Sequence, residues 1–431
     1  MTLRDYQRDI LDRVREAYAS GKRAPLVQLA TGLGKTRIAV EACFNHEARG
    51  GSCLFVASRL ELLDQAERAL KARGCIMGVK TRVASIQELV RPRALMPPAT
   101  LVVYDEARHY VAEQWGLLRA KLPGALSLGL DATPERGDGF GLGGLFDALI
   151  QGPSIADSVA AGWLVPSSTL RPDRALETRE LAMHPVDAIV QNAGSRSTVL
   201  FAPTIDLARE WSGMLSDRGV PSAAIWGDMP RETRSMALGA YDAGHVRVLV
   251  NVQLLTEGWD SPRTGCVVLA RTFGTAGGLL QAVGRGLRPW PGKSDLLLLD
   301  LVGATHTHGD IEEARAWFLS GKAVRRAEES EDVRFCPVCG APSPAGEDCA
   351  QCGYTGPDMR KRKPRVLGLP IDRFARKRAE APDARAKTLA RWLREASSRG
   401  YRPGWAYARF KSVYGIAVSA DVKRDANRAM R

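Results

Sequence analysis

Short apolar runs of four to six residues recur along this chain, and a helical pattern follows each of them. One series contains Leu26–Leu29, Cys53–Ala57, Leu101–Tyr104 and Leu126–Leu130. A second contains Thr198–Phe201, Val246–Val250, Cys266–Ala270 and Leu296–Asp300. Runs this rich in Val and Leu suit strands buried on both faces, and their alternation with helices implies parallel sheets joined by βαβ crossovers. The expected fold class is therefore α/β, with two tandem parallel-sheet domains. Turn residues and Gly162-Trp163 interrupt the pattern near Gly152–Pro172, which places the first domain at 1–160 and the second at 161–310. Residues 311–333 read as a charged helical connector. No apolar run approaches the ~20 residues of a membrane span. The first twenty residues alternate charge with apolar positions like an amphipathic helix, not a secretory signal. A cytoplasmic protein without a membrane partner is expected.

Chemistry enters at Ala30-Thr-Gly-Leu-Gly-Lys-Thr36, which follows the first strand and opens a helix whose apolar face holds Ile38, Ala39, Ala42 and Cys43. Strand, glycine loop, Lys-Thr and helix is the setting of a phosphate-binding loop. Thr31, Gly32, Leu33 and Gly34 would offer backbone N–H groups at a helix N-terminus. Lys35 would reach the β- and γ-phosphates of ATP, and Thr36 would ligate Mg²⁺. Leu29 stands where the strict pattern has glycine. About 70 residues on, Leu101-Val-Val-Tyr-Asp105-Glu106-Ala-Arg-His109 ends a buried strand in two carboxylates. Asp105 is placed to hold Mg²⁺, and Glu106 to orient or deprotonate an attacking water. A helix N-cap is the bland alternative for this pair.

In this order the motifs resemble those of superfamily 2 DNA helicases of the DEAD/DEAH-like kind, and within them the RadD-type bacterial or phage repair helicases with a C-terminal zinc ribbon. Arg4-Asp-Tyr-Gln7 resembles the adenine-reading segment, which implies nucleotide contacts from Arg4 and Gln7. Asp-Glu-Ala-Arg-His resembles the second motif with one residue inserted before His109. Ser127-Leu-Gly-Leu-Asp131-Ala-Thr-Pro134 resembles the Thr-Ala-Thr-Pro coupling motif, with Asp131 where Thr is usual. Asn251 to Pro262, containing Thr256, Gly258 and Asp260, resembles the fifth motif, and Gln281-Ala-Val-Gly-Arg285-Gly-Leu-Arg288 the sixth. The resemblance implies two RecA-like motor domains, nucleotide-site roles for Gly258 and Asp260, and catalytic roles for Gln281, Arg285 and Arg288. It implies ATP hydrolysis coupled to unwinding of, or movement on, single-stranded or forked DNA in repair, recombination or replication. RNA is a second candidate polymer, and a single-strand-binding or repair protein a candidate partner. A duplex translocase that does not unwind, and an ATP-switched accessory DNA-binding factor, are the alternatives. The sequence alone supports a cleft mechanism: one domain carries the phosphate loop and the other two arginines without one, so only closure completes a site.

Cys336-Pro-Val-Cys339-Gly and Cys349-Ala-Gln-Cys352-Gly are two knuckles nine residues apart, within an expected module at 334–356. Four thiolates from two such turns make a tetrahedral Zn²⁺ site; a redox dithiol or an iron–sulfur cluster is the alternative. Between Thr355 and Arg431 there are 21 Lys and Arg against 7 Asp and Glu, a surplus of 14 in a chain whose net charge is +13. The region 357–431 is thus expected to be basic, mainly helical and nucleic-acid-binding, cations meeting phosphates and aromatics stacking on bases. The competing readings are a solvated tail, or a small helical domain with Trp392, Trp405 and Phe410 in its core. Three patterns are read as decoys. Gly139-Phe-Gly-Leu-Gly-Gly144 follows a turn instead of a strand, Gly292-Lys-Ser294 reads as a turn into the Leu296 strand, and His306 and His308 read as a polar loop.

Overall fold

A computed structural model describes residues 3–57, 60–91, 97–109, 112–135, 141–177, 179–252, 254, 261–319, 333–335, 342–344, 364–374, 389–394 and 407. Residue contacts divide the chain into two compact units, Met1–Glu312 with Trp317–Asp372, and Glu313–Ala316 with Arg373–Arg431.

The larger unit opens with helix α1 (Asp5–Ala19), which buries Tyr6, Gln7, Ile10, Leu11 and Val14 at helical spacing. Then come β1 (Pro25–Gln28), α2 (Lys35–Ala48), β2 (Cys53–Ala57), α3 (Leu60–Arg73), β3 (Thr81–Ser85), α4 (Ile86–Leu89), β4 (Leu101–Asp105), α5 (Ala112–Lys121), β5 (Leu126–Asp131) and β6 (Ala148–Gln151). The sheet order is β3-β2-β4-β5-β1-β6, and every pairing is parallel. β1, β2 and β4 are buried at every position because both sheet faces are covered. Val27, Phe55 and Val103 enter one apolar cluster, whereas Leu26, Leu54 and Val102 enter the cluster on the opposite face. Each such side chain contributes roughly 1.5–3 kcal/mol on burial.

The second sheet follows after α6 (Ile155–Ala160). Its strands are β7 (Ser167–Arg171), then, beyond β8 (Glu180–Leu181), which pairs separately with Arg365–Val366, and helix α7 (Pro185–Asn192), β9 (Thr198–Phe201), β10 (Ser222–Trp226), β11 (Val248–Val252), β12 (Cys266–Leu269) and β13 (Leu296–Asp300). Helices α8 (Ile205–Asp217), α9 (Arg231–Ala243) and α10 (Ala276–Gly284) connect them, and α11 (Ala304–His308) follows β13. The parallel order is β10-β11-β9-β12-β13-β7, with a short segment at Asp372 on its edge. No helix among the described residues is long and apolar enough to cross a membrane.

All eight expected strands form. The sequence reading missed β3, β6, β7 and β10, whose burial is partial and whose runs are interrupted by polar or small residues. The expected helical connector is corrected over residues 311–319, which are not helical. Tertiary bonds to two of their backbone carbonyls and to the Glu312 side chain hold them instead. Leu319 O accepts from Gly143 N at 2.6 Å, Trp317 O accepts from Gln151 Nε2 at 2.9 Å, and Glu312 Oε1 accepts from Ser167 N at 2.8 Å. The glycine-rich decoy thereby gains a role: a Cβ on Gly141 or Gly143 would lie 2.4 or 2.6 Å from Leu319 O, so only glycine admits that strand-like approach. His306 and His308 lie on α11, bonded through Nε2 to Pro172 O at 2.9 Å and Phe273 O at 2.5 Å.

In the second unit, residues 389–394 are helical, and Leu389, Ala390, Trp392 and Leu393 are buried. That places Trp392 in a core. Trp405, Phe410 and most of the basic stretch lie outside the described residues, as do Cys336, Cys339, Cys349 and Cys352. Strands β14 (Val333–Phe335) and β15 (Pro342–Pro344) pair antiparallel, with Phe335 opposite Pro342.

Candidate nucleotide site at the domain cleft

The phosphate loop sits outside the carboxyl end of β1, where parallel α/β sheets bind ligands. Gly32 has φ +91 and Gly34 φ +87, so both occupy the left-handed region that frees the loop to wrap before α2 begins at Lys35. Leu29 is buried, and its carbonyl accepts from Lys35 Nζ at 3.3 Å. Leucine is tolerated at this position because its side chain enters the core while its backbone serves the loop.

Helix α1 braces the loop from behind. Gln7 Nε2 and Tyr6 Oη both donate to Leu33 O, at 3.0 and 2.7 Å. Gln7 Oε1 also accepts from Arg4 N at 3.1 Å, which satisfies the backbone N–H at the start of α1. A Cβ on Gly34 would meet Gln7 Nε2 at 2.6 Å. Arg4 and Gln7 thus lie beside the loop, and Gln7 is buried and committed to it.

The interdomain linker is part of the same assembly. The Trp163 ring packs on Tyr6 with centroids 4.4 Å apart, Leu164 lies against Gly32, and Val165 N donates to Leu287 O at 2.8 Å.

Asp105 ends β4 beside Glu106, which adopts φ +51, a left-handed conformation that costs a non-glycine residue about 1–3 kcal/mol. Burial raises the Asp105 pKa to about 7, with Glu106 and Asp131 adding to the rise and Lys35 opposing it. Burial likewise raises Asp131, against the pull of Arg108. Glu106 and Asp131 share the Arg108 guanidinium, and among the described residues no group of three His, Cys, Asp or Glu side chains is placed to hold a metal ion. Arg108, not His109, completes the second motif: its Nη1 lies 2.7 Å from Glu106 Oε2 and 2.6 Å from Asp131 Oδ1, and its backbone N donates to Asp131 Oδ2 at 2.8 Å. Asp131 Oδ1 also accepts from Thr133 N at 2.9 Å.

The second domain reaches this cluster through α10 and the turn after it. Gln281 Nε2 lies 3.4 Å from Glu106 Oε2. A Cβ on Gly284 would lie 2.9 Å from Thr31 Cβ, and one on Gly32 would lie 3.0 Å from Arg288 Cγ. Arg285 is buried. Burial lowers the Arg288 pKa to about 10, which leaves the guanidinium charged at neutral pH. The structure therefore brings Lys35, Asp105, Glu106, Gln281 and Arg288 close to the loop, with Thr36 next to Lys35 in the first turn of α2. Thr256, Gly258 and Asp260 lie outside the described residues. Sequence reasoning missed the contacts of Arg108 and Trp163; the departures at positions 108 and 131 were the available signal for the first.

Comparison with known proteins agrees with this geometry. The family described as type III restriction enzyme, res subunit, matches residues 1–136, and the helicase conserved C-terminal domain matches residues 182–289. The chain carries the two domains of a superfamily 2 helicase, a class of ATP-hydrolysing enzymes. Among its relatives, a 51.5 kDa protein of a Lactococcus phage is 22% identical over 76% of this chain and 77% of its own length. A Saccharomyces cerevisiae protein named as an ATP-dependent helicase, IRC3, is 25% identical over 70% of this chain; the chain spans 52% of that protein. Among solved structures, a fragment of an HsdR subunit of a type I restriction enzyme from Vibrio vulnificus aligns over 71% of this chain and 65% of its own, with TM-score 0.58 and 21% identity. The Mycobacterium smegmatis helicase Lhr, bound to single-stranded DNA and AMP-PNP, aligns over 73% and 51%, with TM-score 0.51 and 17% identity. These two likenesses concern the fold.

Proposed function

We propose that this protein is an ATP-driven motor that moves along or unwinds DNA. The observation that carries the reading is the meeting of Gln281 and Glu106 across the cleft, 3.4 Å apart, beside a phosphate loop that also touches Arg288. Groups from both domains face one site, so nucleotide turnover and domain closure are the same event.

In this reading the loop N–H groups of residues 31–34 and Lys35 hold the β- and γ-phosphates, with Arg4 and Gln7 on the base side. Thr36 and Asp105 would hold Mg²⁺, which supplies charge neutralisation at those phosphates. Glu106 accepts a proton from the attacking water as its oxygen bonds to the γ-phosphorus and the bond to the β–γ bridging oxygen breaks. Arg285 and Arg288 face the charge that develops on the transferring group, and Gln281 orients the water with Glu106. Gly258 and Asp260 belong to the same site by resemblance.

The finer features are proposals of the same kind. Domains at 1–160 and 161–310 form the motor. The cysteines of the 334–356 module hold structural zinc; the donor set suits it, and the β14–β15 pairing brackets the six residues that carry Cys336 and Cys339. The basic 357–431 region binds the DNA backbone, and the protein serves repair, recombination or replication in a phage or bacterial cell.

Steady-state ATPase without nucleic acid, then with single-stranded, forked and duplex DNA and with RNA, tests the reading. Stimulation by single strands or forks, with strand release in an unwinding assay, is the expected result. Stimulation by duplex alone without strand release would replace unwinding with translocation. Stoichiometric effects without sustained turnover would mark an ATP-switched binding factor.

A further inference from the structure

Lys293 belongs to the Gly-Lys-Ser turn that resembles a phosphate loop only superficially, and nothing above gives it a task. Its ammonium lies within hydrogen-bond distance of three backbone carbonyls: Gly286 O at 2.5 Å, Arg288 O at 2.9 Å and Pro262 O at 3.0 Å. An ammonium has three N–H donors and no acceptor, so these three partners saturate it. Two of the carbonyls belong to the arginine turn. Residues Arg285–Leu287 form a single 3₁₀ turn after α10, and Arg288 is extended at its end. The carbonyls at a helix C-terminus lack intrahelical donors, and a lysine is a natural partner for them. The third carbonyl belongs to Pro262, the last residue of the fifth-motif stretch.

The chain is shaped to deliver this contact. Pro289 and Pro291 fix their own φ angles, Gly292 sits at φ +77, and Lys293 N donates to Trp290 O at 2.9 Å. The turn thus doubles back, and the half-buried Lys293 lies under the residues that precede it. On its other side the arginine turn is pressed against β13, where a Cβ on Gly286 would lie 2.5 Å from Leu296 Cδ1. The peptides that aim Arg285 and Arg288 are therefore clamped between Leu296 and the Lys293 ammonium.

We propose that Lys293 is a positioning residue for nucleotide hydrolysis: its ammonium fixes the Arg285–Arg288 turn against the end of the fifth motif, so that the arginines meet the phosphates when the cleft closes. The proposal rests on the hydrolysis reading above. Lys293→Met keeps the length and removes every donor. Its DNA-stimulated kcat is expected to fall roughly 10- to 100-fold, the loss typical of a small misplacement of catalytic groups, with KM for ATP changed little. Lys293→Gln, which keeps two N–H donors, should recover part of that loss. In an Arg285→Ala background the same Lys293→Met change should cost little more, because the group it aims is gone.

Wild-type kcat in Lys293→Met would overturn the proposal, as would an equal loss in the Arg285→Ala background. Thermal unfolding is followed in parallel; loss of the fold in both Lys293→Met and Lys293→Gln would make the residue a structural one and end the positioning assignment. Undiminished turnover in Arg285→Ala alone would instead overturn the hydrolysis role of the arginines.

Discussion

Arg108 and Asp131 form a buried ion pair, Nη1 to Oδ1 2.6 Å, with the aspartate fully enclosed and the arginine side chain 9% exposed. The same guanidinium reaches Glu106 Oε2 at 2.7 Å, so it links the end of β4 to the end of β5 and holds the carboxylate proposed as the general base. The two departures from the helicase motifs, Arg at 108 and Asp at 131, are thus one structural unit. An aspartate without a cation here would be an uncompensated buried charge, and a threonine would leave Arg108 with Glu106 alone.

Breaking that pair is expected to be costly. Arg108→Ala and Asp131→Asn should each lose about 3–5 kcal/mol, since each strands a buried charge or its partner. The double variant Arg108→Ala/Asp131→Asn, which removes both charges, should lose at least about 1 kcal/mol less than the sum of its single changes. Urea unfolding curves for the four proteins measure the coupling; strict additivity would dissolve the pair as a unit.

Mg²⁺ affinity should depend on pH through Asp105. Its folded pKa, about 7, stands above the ordinary 3.8, so the folded carboxyl is protonated at pH 5 while the unfolded one is ionised. Folding stability from this group is therefore greatest at low pH and is lost as pH rises from about 4 through 7. A cation bound to the ionised form returns it. Mg²⁺ titrations followed by ATPase at pH 5.5, 7 and 8.5 should show tightening up to about pH 7 and a plateau above it. A pH-independent affinity would remove Asp105 from the cation site.

Lys35→Ala and Glu106→Gln should each lower kcat on the order of 10²- to 10⁴-fold, the contribution of a positioned charge or proton acceptor. DNA binding, followed by fluorescence anisotropy, should survive in both. Turnover near wild type in Glu106→Gln would move the general base elsewhere.

Gly141→Ala should dislodge the strap at Trp317–Leu319, because its Cβ would collide with the Leu319 carbonyl. A loss of about 1–3 kcal/mol is expected for a clash of this kind, accompanied by a change in Trp317 fluorescence. Gly144→Ala is the control, since nothing among the described residues lies within 4 Å of a Cβ there. Equal stability of the two variants would contradict the strap.

Much of the site was legible in the linear order of residues. Lys35, Thr36, Asp105 and Glu106 declare themselves because phosphate and cation binding need particular groups at the ends of strands, and strand ends can be read from apolar runs. Gln281 and Arg288 were indicated by the resemblance to the sixth motif. The Arg108–Asp131 pair was visible only as two separate anomalies, 23 residues apart. The helical reading of 311–319 failed because charge pattern records helix propensity but not the tertiary partners that Gly143, Gln151 and Ser167 provide.

The sequence by itself determined the α/β class, the buried strands β1, β2, β4 and β13, and the chemistry that each motif can offer, because these depend on local side-chain patterns and on the fixed geometry of a strand or a glycine loop. Only the tertiary structure decided which of those groups meet. Gln281 touches Glu106 from 175 residues away, Trp163 of the linker packs on Tyr6, and Lys293 gathers carbonyls from the arginine turn and from Pro262. Such contacts arise when two sheets bury their faces and bring their edges together, and no local pattern encodes the angle at which that happens.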